Sequence, residues 1–177
     1  MANIGIYVGS STGITMQIAE QIQQAIGEEH ADLFDLEDDY MDFDEILEYD
    51  YLIFGCSTWG SGEVQFNWVE PLQDLANDKP DFTGKTIALF GAGDCKDHGE
   101  QFVSALGVLY DIFTERGAKF IAPFPTDGYA FEYSNAVREG KFVGFPFDQV
   151  NEKDKTPERL SRWLEVLQSE LEADALI

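Results

Sequence analysis

The stretch Asn3–Thr15 reads NIGIYVGSSTGIT, and it decides the fold. Asn3–Val8 is a near-continuous apolar run of strand length, the pattern of a strand buried on both faces of a parallel sheet. A turn of glycine and hydroxyl residues follows. From Thr15 to Ile26 the residues Ile18, Ile22 and Ile26 recur at helical spacing, and Gly27 is a stop signal. Strand, small polar turn and helix in so short a span open a βα unit.

Outward from this stretch the alternation continues. Ala31–Leu36, Tyr51–Gly55 (YLIFG) and Thr86–Phe90 (TIALF) read as strands, and Lys119–Ala122 starts a fifth. Phe43–Glu48, Phe66–Leu75 and Gln101–Arg116 read as helices. Pro157–Leu171 closes the chain as a helix with Thr156 as N-cap and Pro157 at its first position. This predicts an α/β fold: a doubly wound, five-stranded parallel sheet in the order 2-1-3-4-5 with helices on both faces. About twenty residues rich in aromatics (Phe124, Tyr129, Phe131, Tyr133) separate the start of strand five from Phe142–Gly144. They read as an insertion splitting that strand, because a structureless loop of such length is uncommon. At 177 residues the chain is expected to form a single domain, residues 1–177.

Charge narrows the partners. There are 34 acidic and 11 basic residues, net −23. Phosphate neutralisation needs Lys and Arg, so a nucleic-acid partner is not expected. Basic protein partners are, although solubility alone also accounts for an acidic surface. No Lys or Arg precedes Lys79, and Glu28–Asp50 carries a dozen carboxylates. An anion bound by the first half must therefore be held without a cationic side chain. No apolar run is long enough to span a membrane. No signal-peptide pattern opens the chain, and two cysteines make no disulfide framework, so a cytoplasmic location is expected. Two Cys and two His, widely spaced, give no metal-ligand pattern.

Three loops carry the chemistry. Ser10, Ser11, Thr12, Gly13, Ile14 and Thr15 follow strand one and open helix one. Their hydroxyls and the free N–H groups of a helix N-terminus make a neutral cradle for one terminal phosphate. The lysine of a Walker loop and the spacing of a dinucleotide fingerprint are both missing. An ordinary hydroxyl-rich helix cap is the plainer alternative. Ser57, Thr58, Trp59, Gly60, Ser61 and Gly62 follow strand three. Trp59 among small residues is suited to lie flat on a planar ring, the alternative being a Trp folded back over the sheet. Trp68 and Trp163 sit in helical patterns and are assigned to packing. Ala92, Gly93 and Asp94, with His98 and Gln101 downstream, follow strand four and offer amides, a carboxylate and an imidazole to the edge of a heterocycle. A lone histidine is otherwise structural or solvated. In the order 2-1-3-4-5 these loops converge at the carboxyl edge of the sheet, at the switch point where a ligand crevice is expected.

With these residues in place the chain resembles the flavodoxins, of the long-chain type, from end to end. SSTGIT (10–15) resembles the family's phosphate loop, STWGSGE (57–63) the loop that lays a Trp on one flavin face, and FGAGDCKDHGEQF (90–102) the loop that covers the other. The aromatic insertion matches the one that distinguishes long-chain members, and FVGFPFD, from Phe142, resembles the resumed fifth strand. Ile14 stands where many relatives carry Asn or Lys, and His98 where a Tyr usually stacks. The resemblance implies flavin mononucleotide (FMN) as cofactor and low-potential, one-electron transfer through semiquinone and hydroquinone. It implies basic redox partners such as ferredoxin/flavodoxin–NADP⁺ reductases and low-potential acceptor enzymes, served by a monomer that is not itself an enzyme. Two other readings remain open. One is a flavodoxin-like quinone reductase using NAD(P)H, for which no basic residues near the loops offer a 2′-phosphate site. The other is a non-redox binding module on the same fold.

Overall fold

A computed structural model of the protein describes residues 2–177. The near-continuous apolar run that opens the chain forms β1 (Ile4–Gly9), followed by α1 (Ile14–Ile26). Then come β2 (Ala31–Asp35), α2 (Leu36–Asp39), α3 (Phe43–Ile46), β3 (Tyr51–Cys56), a two-strand ribbon of β4 (Thr58–Trp59) and β5 (Glu63–Val64), and α4 (Val69–Asp78). The second half adds β6 (Thr86–Ala92), α5 (Ser104–Glu115), β7 (Lys119–Phe120), β8 (Phe124–Pro125), β9 (Val137–Arg138), β10 (Lys141–Phe142), β11 (Phe145–Phe147) and α6 (Thr156–Ala173).

The main sheet runs β2-β1-β3-β6, all parallel, and its last position is shared by β7 and β11, both paired to β6. This is the expected order with the fifth strand split. Ile121 still donates to the Ile87 carbonyl at 3.0 Å. The chain then leaves through Ala122, whose φ is +56°, and returns with Phe145 opposite Phe90. The excursion is no bare loop. It folds into a small antiparallel sheet, β8-β10-β9, closed by Glu139 and Gly140, both at positive φ. Its aromatics anchor it: Phe131 stacks on Phe102 with centroids 5.7 Å apart, and Tyr129 donates to the Pro146 carbonyl at 2.8 Å. The buried Arg159 guanidinium lies 3.8 Å from the Tyr129 ring centroid and pairs with Glu152.

The core is aromatic. Phe54 of β3 meets Trp68 and Phe113, each at 5.0 Å, and Phe145 of β11 stacks on Trp163 of α6 at 5.6 Å. Trp68 and Trp163 are fully buried and donate their indole N–H groups to the carbonyls of Gly55 and Ala122, so both serve packing.

Four boundaries differ from the sequence reading. Phe142 belongs to β10, and the main sheet resumes only at Phe145. The helix expected from Gln101 begins at Ser104, because Val103 before it adopts φ +46°. The helix expected from Phe66 starts as a 3₁₀ turn and becomes α-helical at Val69. Thr156 is not the cap of the last helix: its hydroxyl donates to Gln149 Oε1 at 2.7 Å, and Lys155 holds the cap position without a side-chain bond.

The return of the split strand sets a steric test. A Cβ on Gly144 would lie 2.2 Å from the Leu89 carbonyl oxygen, a backbone atom that cannot swing away. Gly144→Ala is expected to lift β11 off β6 and cost about 3 kcal/mol, read as a lower urea midpoint of the apoprotein.

Candidate functional site

The loops that follow β1, β3, β6 and β11 meet at the carboxyl edge of the sheet around a cavity of about 250 Å³. Each is braced from behind. After β1, the Gly13 N–H donates to the Ser10 hydroxyl at 3.1 Å, and Gly13 takes φ +84° to turn the chain into α1. Gln65, fully buried, donates to the Ser11 hydroxyl at 2.9 Å and to Asn67 Oδ1 at 2.7 Å, tying this turn to the segment behind it. Asp35 and Asp42 cap α2 and α3, but α1 has neither a side-chain cap bond nor an acid in its first turn. The positive end of its dipole and its first N–H groups therefore stay available to an outside anion.

After β3, Thr58 and Trp59 pair with Val64 and Glu63 in the β4–β5 ribbon. Gly60 and Gly62 make its turn at φ +53° and +102°. The Thr58 hydroxyl accepts from the Ala105 N–H at 3.0 Å, pinning the ribbon to the start of α5. Trp59 donates its indole N–H to Ser57 Oγ at 2.8 Å, which fixes the ring plane, and the ring remains 47% exposed while lining the cavity. It is not folded over the sheet.

The loop after β6 is held by its own acid. Asp94 Oδ1 accepts from the N–H groups of Lys96 at 3.1 Å and Asp97 at 2.9 Å, and from the Asn151 amide at 2.8 Å. That oxygen is occupied in shaping the loop. Asp148, fully buried after β11, accepts from the Cys95 N–H at 2.9 Å. Burial works against charge on both carboxyls, but the donors outweigh it and hold each below its ordinary range. Burial, together with Asp148, pushes the Cys95 thiol up to about 11, so it stays protonated at neutral pH.

Twelve of the seventeen residues named from the sequence line this one cavity: Ser11, Thr12, Ile14, Thr15, Ser57, Thr58, Trp59, Gly60, Ala92, Gly93, Asp94 and His98. Ser61 and Gln101 line an adjoining crevice of about 460 Å³ that shares Gly60 and His98 with the first. Ser10 and Gly13 shape the first turn, and Gly62 packs against Gln101 and Ser104. Sequence reasoning missed Val150, a lining residue that is 72% exposed. Its one signal is position, since it follows a parallel strand at the carboxyl edge. It also missed Gln65, because a polar residue behind a glycine-rich loop reads as solvated. A separate cavity of about 380 Å³ lies between Tyr110 of α5 and the insertion. The guanidinium at its rim, Arg138, is already engaged by Asp111 and Asn135.

The site combines a neutral anion cradle, an oriented indole and apolar walls from Ile14, Ala92 and Val150. It suits a flat ring with a phosphorylated tail. Comparison with known proteins points the same way. The family model described as Flavodoxin matches residues 6–163. The chain is 64% identical over 170 residues to Flavodoxin 1 of Azotobacter vinelandii, covering 96% of this chain and 98% of that one. It is 41% identical over 171 residues to the flavodoxin of Synechococcus elongatus, covering 96% and 98%. The crystal structure of Fusobacterium nucleatum flavodoxin bound to flavin mononucleotide superposes with a TM-score of 0.86 at 30% identity, over 96% of this chain and 99% of that one.

Asp94 and Asp148 make the site acid-resistant down to a definite limit. Their folded pKa values lie below the unfolded one, near 3.9, so their stabilisation is complete above that value and is lost as pH falls through the depressed folded values. Acid unfolding of the apoprotein, followed by tryptophan fluorescence, is expected to steepen below about pH 4, and Asp148→Asn to flatten that limb.

Proposed function

The chain belongs to the flavodoxin family, and from that premise we propose that it holds one FMN in the cavity beneath Trp59 and passes single electrons between larger redox proteins. As a family member it is an electron-transfer protein and not an enzyme. The observation that carries the reading is one juxtaposition: an uncapped, acid-free helix N-terminus and an oriented, half-exposed indole line the same cavity.

The residues present fit the cofactor. Its phosphate would be held by the first-turn N–H groups of α1, among them Ile14, and by the hydroxyls of Ser10, Ser11, Thr12 and Thr15. Every donor is neutral, in keeping with a chain that carries no Lys or Arg before Lys79. Trp59 would cover one ring face. His98 lines the same cavity, and the backbone of Ala92, Gly93 and Asp94 would face the heterocycle edge. Ser57, Thr58, Gly60, Ser61 and Gly62 form the ribbon and turn that border the ring, and Gln101 supports them. FMN supplies the one-electron chemistry; the protein supplies orientation, exclusion of water and an electrostatic setting. That setting is anionic. At an effective dielectric near 20, two like charges about 8 Å apart repel by roughly 2 kcal/mol, so nearby carboxylates oppose the addition of negative charge to the ring and keep the potential low.

The docking surface we assign is the acidic face from Asp32 to Asp50 with Glu63 and Glu70. Exposed apolar side chains lie among these acids, Met41 and Val69 with Phe66, which is 77% exposed. Carboxylates steer a basic partner and the apolar groups anchor it. The partner class is a basic redox protein such as a ferredoxin/flavodoxin–NADP⁺ reductase or a low-potential acceptor enzyme. The working unit is a monomeric single domain in the cytoplasm. Among the described residues no helix is long and apolar enough to cross a membrane.

Titrating apoprotein with FMN is expected to quench tryptophan fluorescence with a one-to-one endpoint, and Trp59→Ala to weaken binding roughly tenfold or more. A protein that takes up no FMN would refute the assignment. With a basic reductase, the association rate is expected to fall steeply with added salt; a salt-independent rate would leave the acidic face with solubility alone.

A further inference from the structure

Asp148 and Asp94 share one amide. The Asn151 side-chain NH₂ donates to Asp94 Oδ1 at 2.8 Å and to Asp148 Oδ2 at 2.9 Å, placing both of its hydrogens between two carboxylates. The rest of Asp148 is filled as well. Oδ1 accepts from the N–H groups of Val150 at 3.0 Å and Asn151 at 2.9 Å, and Oδ2 accepts from Cys95 N–H at 2.9 Å. Four N–H donors meet an acceptor-only group, so an ionised carboxylate fits and a neutral amide would set its own NH₂ against other donors. Asp94 and Val150, the residues this arrangement holds from opposite sides, both line the cofactor cavity. The Gly93 N–H adds a bond to the Phe147 carbonyl at 2.9 Å, so the loops after β6 and β11 are joined along their length.

Building on the FMN reading, we propose that Asn151 is a positioning residue for the cofactor: by bridging Asp94 and Asp148 it ties the loop after β6 to the segment after β11 that carries Val150, and holds the cavity-lining Asp94 beside the buried Asp148. Without the bridge each carboxylate keeps only its backbone donors, Lys96 and Asp97 at Asp94 and Cys95, Val150 and Asn151 at Asp148, and the repulsion between the two acids raises the pair's affinity for a proton or swings one of them out. The other charged groups near the pair do not replace the bridge. The Cys95 thiol is protonated at neutral pH, and Glu152 is engaged by Lys155 and Arg159. Lys96, Asp97 and His98 belong to the loop being held. The Asp94 carboxylate takes the backbone N–H groups of Lys96 and Asp97, and no ion pair forms there among the described residues.

Two variants test this against a merely structural role. Asn151→Ala is expected to weaken FMN binding about tenfold while the apoprotein keeps its far-ultraviolet circular dichroism. It should also make the flavin midpoint potential depend on pH more steeply than in the wild type over the range where a weak acid titrates, because reduction would then be coupled to one further proton, taken up by the unbridged pair. Asn151→Asp adds a third carboxyl that can donate only when protonated. Its FMN affinity should be poor near pH 8 and recover in part toward pH 5, where a single O–H can reach one of the two carboxylates, unlike the wild type, whose two-hydrogen bridge is complete at both. This recovery is readable even if Asn151→Ala proves too unstable to purify. Wild-type affinity and an unshifted potential in Asn151→Ala, or affinity in Asn151→Asp that falls on acidification, would overturn the proposal. A wild-type protein that binds no FMN would instead refute the cofactor reading itself and this proposal with it.

Discussion

Everything at the ligand edge depends on a helix N-terminus kept free of negative charge in a molecule of net charge −23. The other short helices of the first half are capped by aspartates, Asp35 and Asp42. At α1 such an acid would compete for the N–H groups that a phosphate needs. The chain places hydroxyls there instead and leaves the first turn open. Neutral donors offset the cost of desolvating a phosphate without adding a lysine to a stretch that has no Lys or Arg before Lys79.

Rigidity serves the same end. Indole, ribbon and loops are each tied to something buried: Trp59 to Ser57, Thr58 to the start of α5, Ser11 to Gln65, Asp94 and Cys95 to the segment after β11. An electron carrier gains from such bracing because fixed dipoles and charges need not reorganise when the charge on the ring changes. The split fifth strand contributes through Phe147, Asp148 and Asn151, and the aromatic insertion, clamped by Arg159 on Tyr129, holds that return in place.

Strand order and three of the four loops that line the cavity were legible in the sequence because they rest on local signals: apolar runs, helical spacing and small residues after each strand. What escaped depends on contacts distant in sequence. Val150 and Asn151 follow a strand half interrupted by the insertion, so nothing local marks them as neighbours of Asp94, 56 and 57 positions earlier. Gln65 looks solvated until Trp68 and Gly9 close around it. Thr156 has the residue type of a cap, yet tertiary structure offers its hydroxyl a better acceptor in Gln149. Val103 breaks the predicted helix because the buried segment around Phe102 forces a left-handed turn that no valine favours.

The central claim is that a neutral cradle of amides and hydroxyls grips the phosphate. Comparing FMN with riboflavin against the same apoprotein isolates that contact, because the two ligands share the ring and the sugar chain. FMN is expected to bind at least about a hundredfold more tightly. Equal affinities would contradict the claim, leaving Trp59 and the ring pocket to hold the flavin alone.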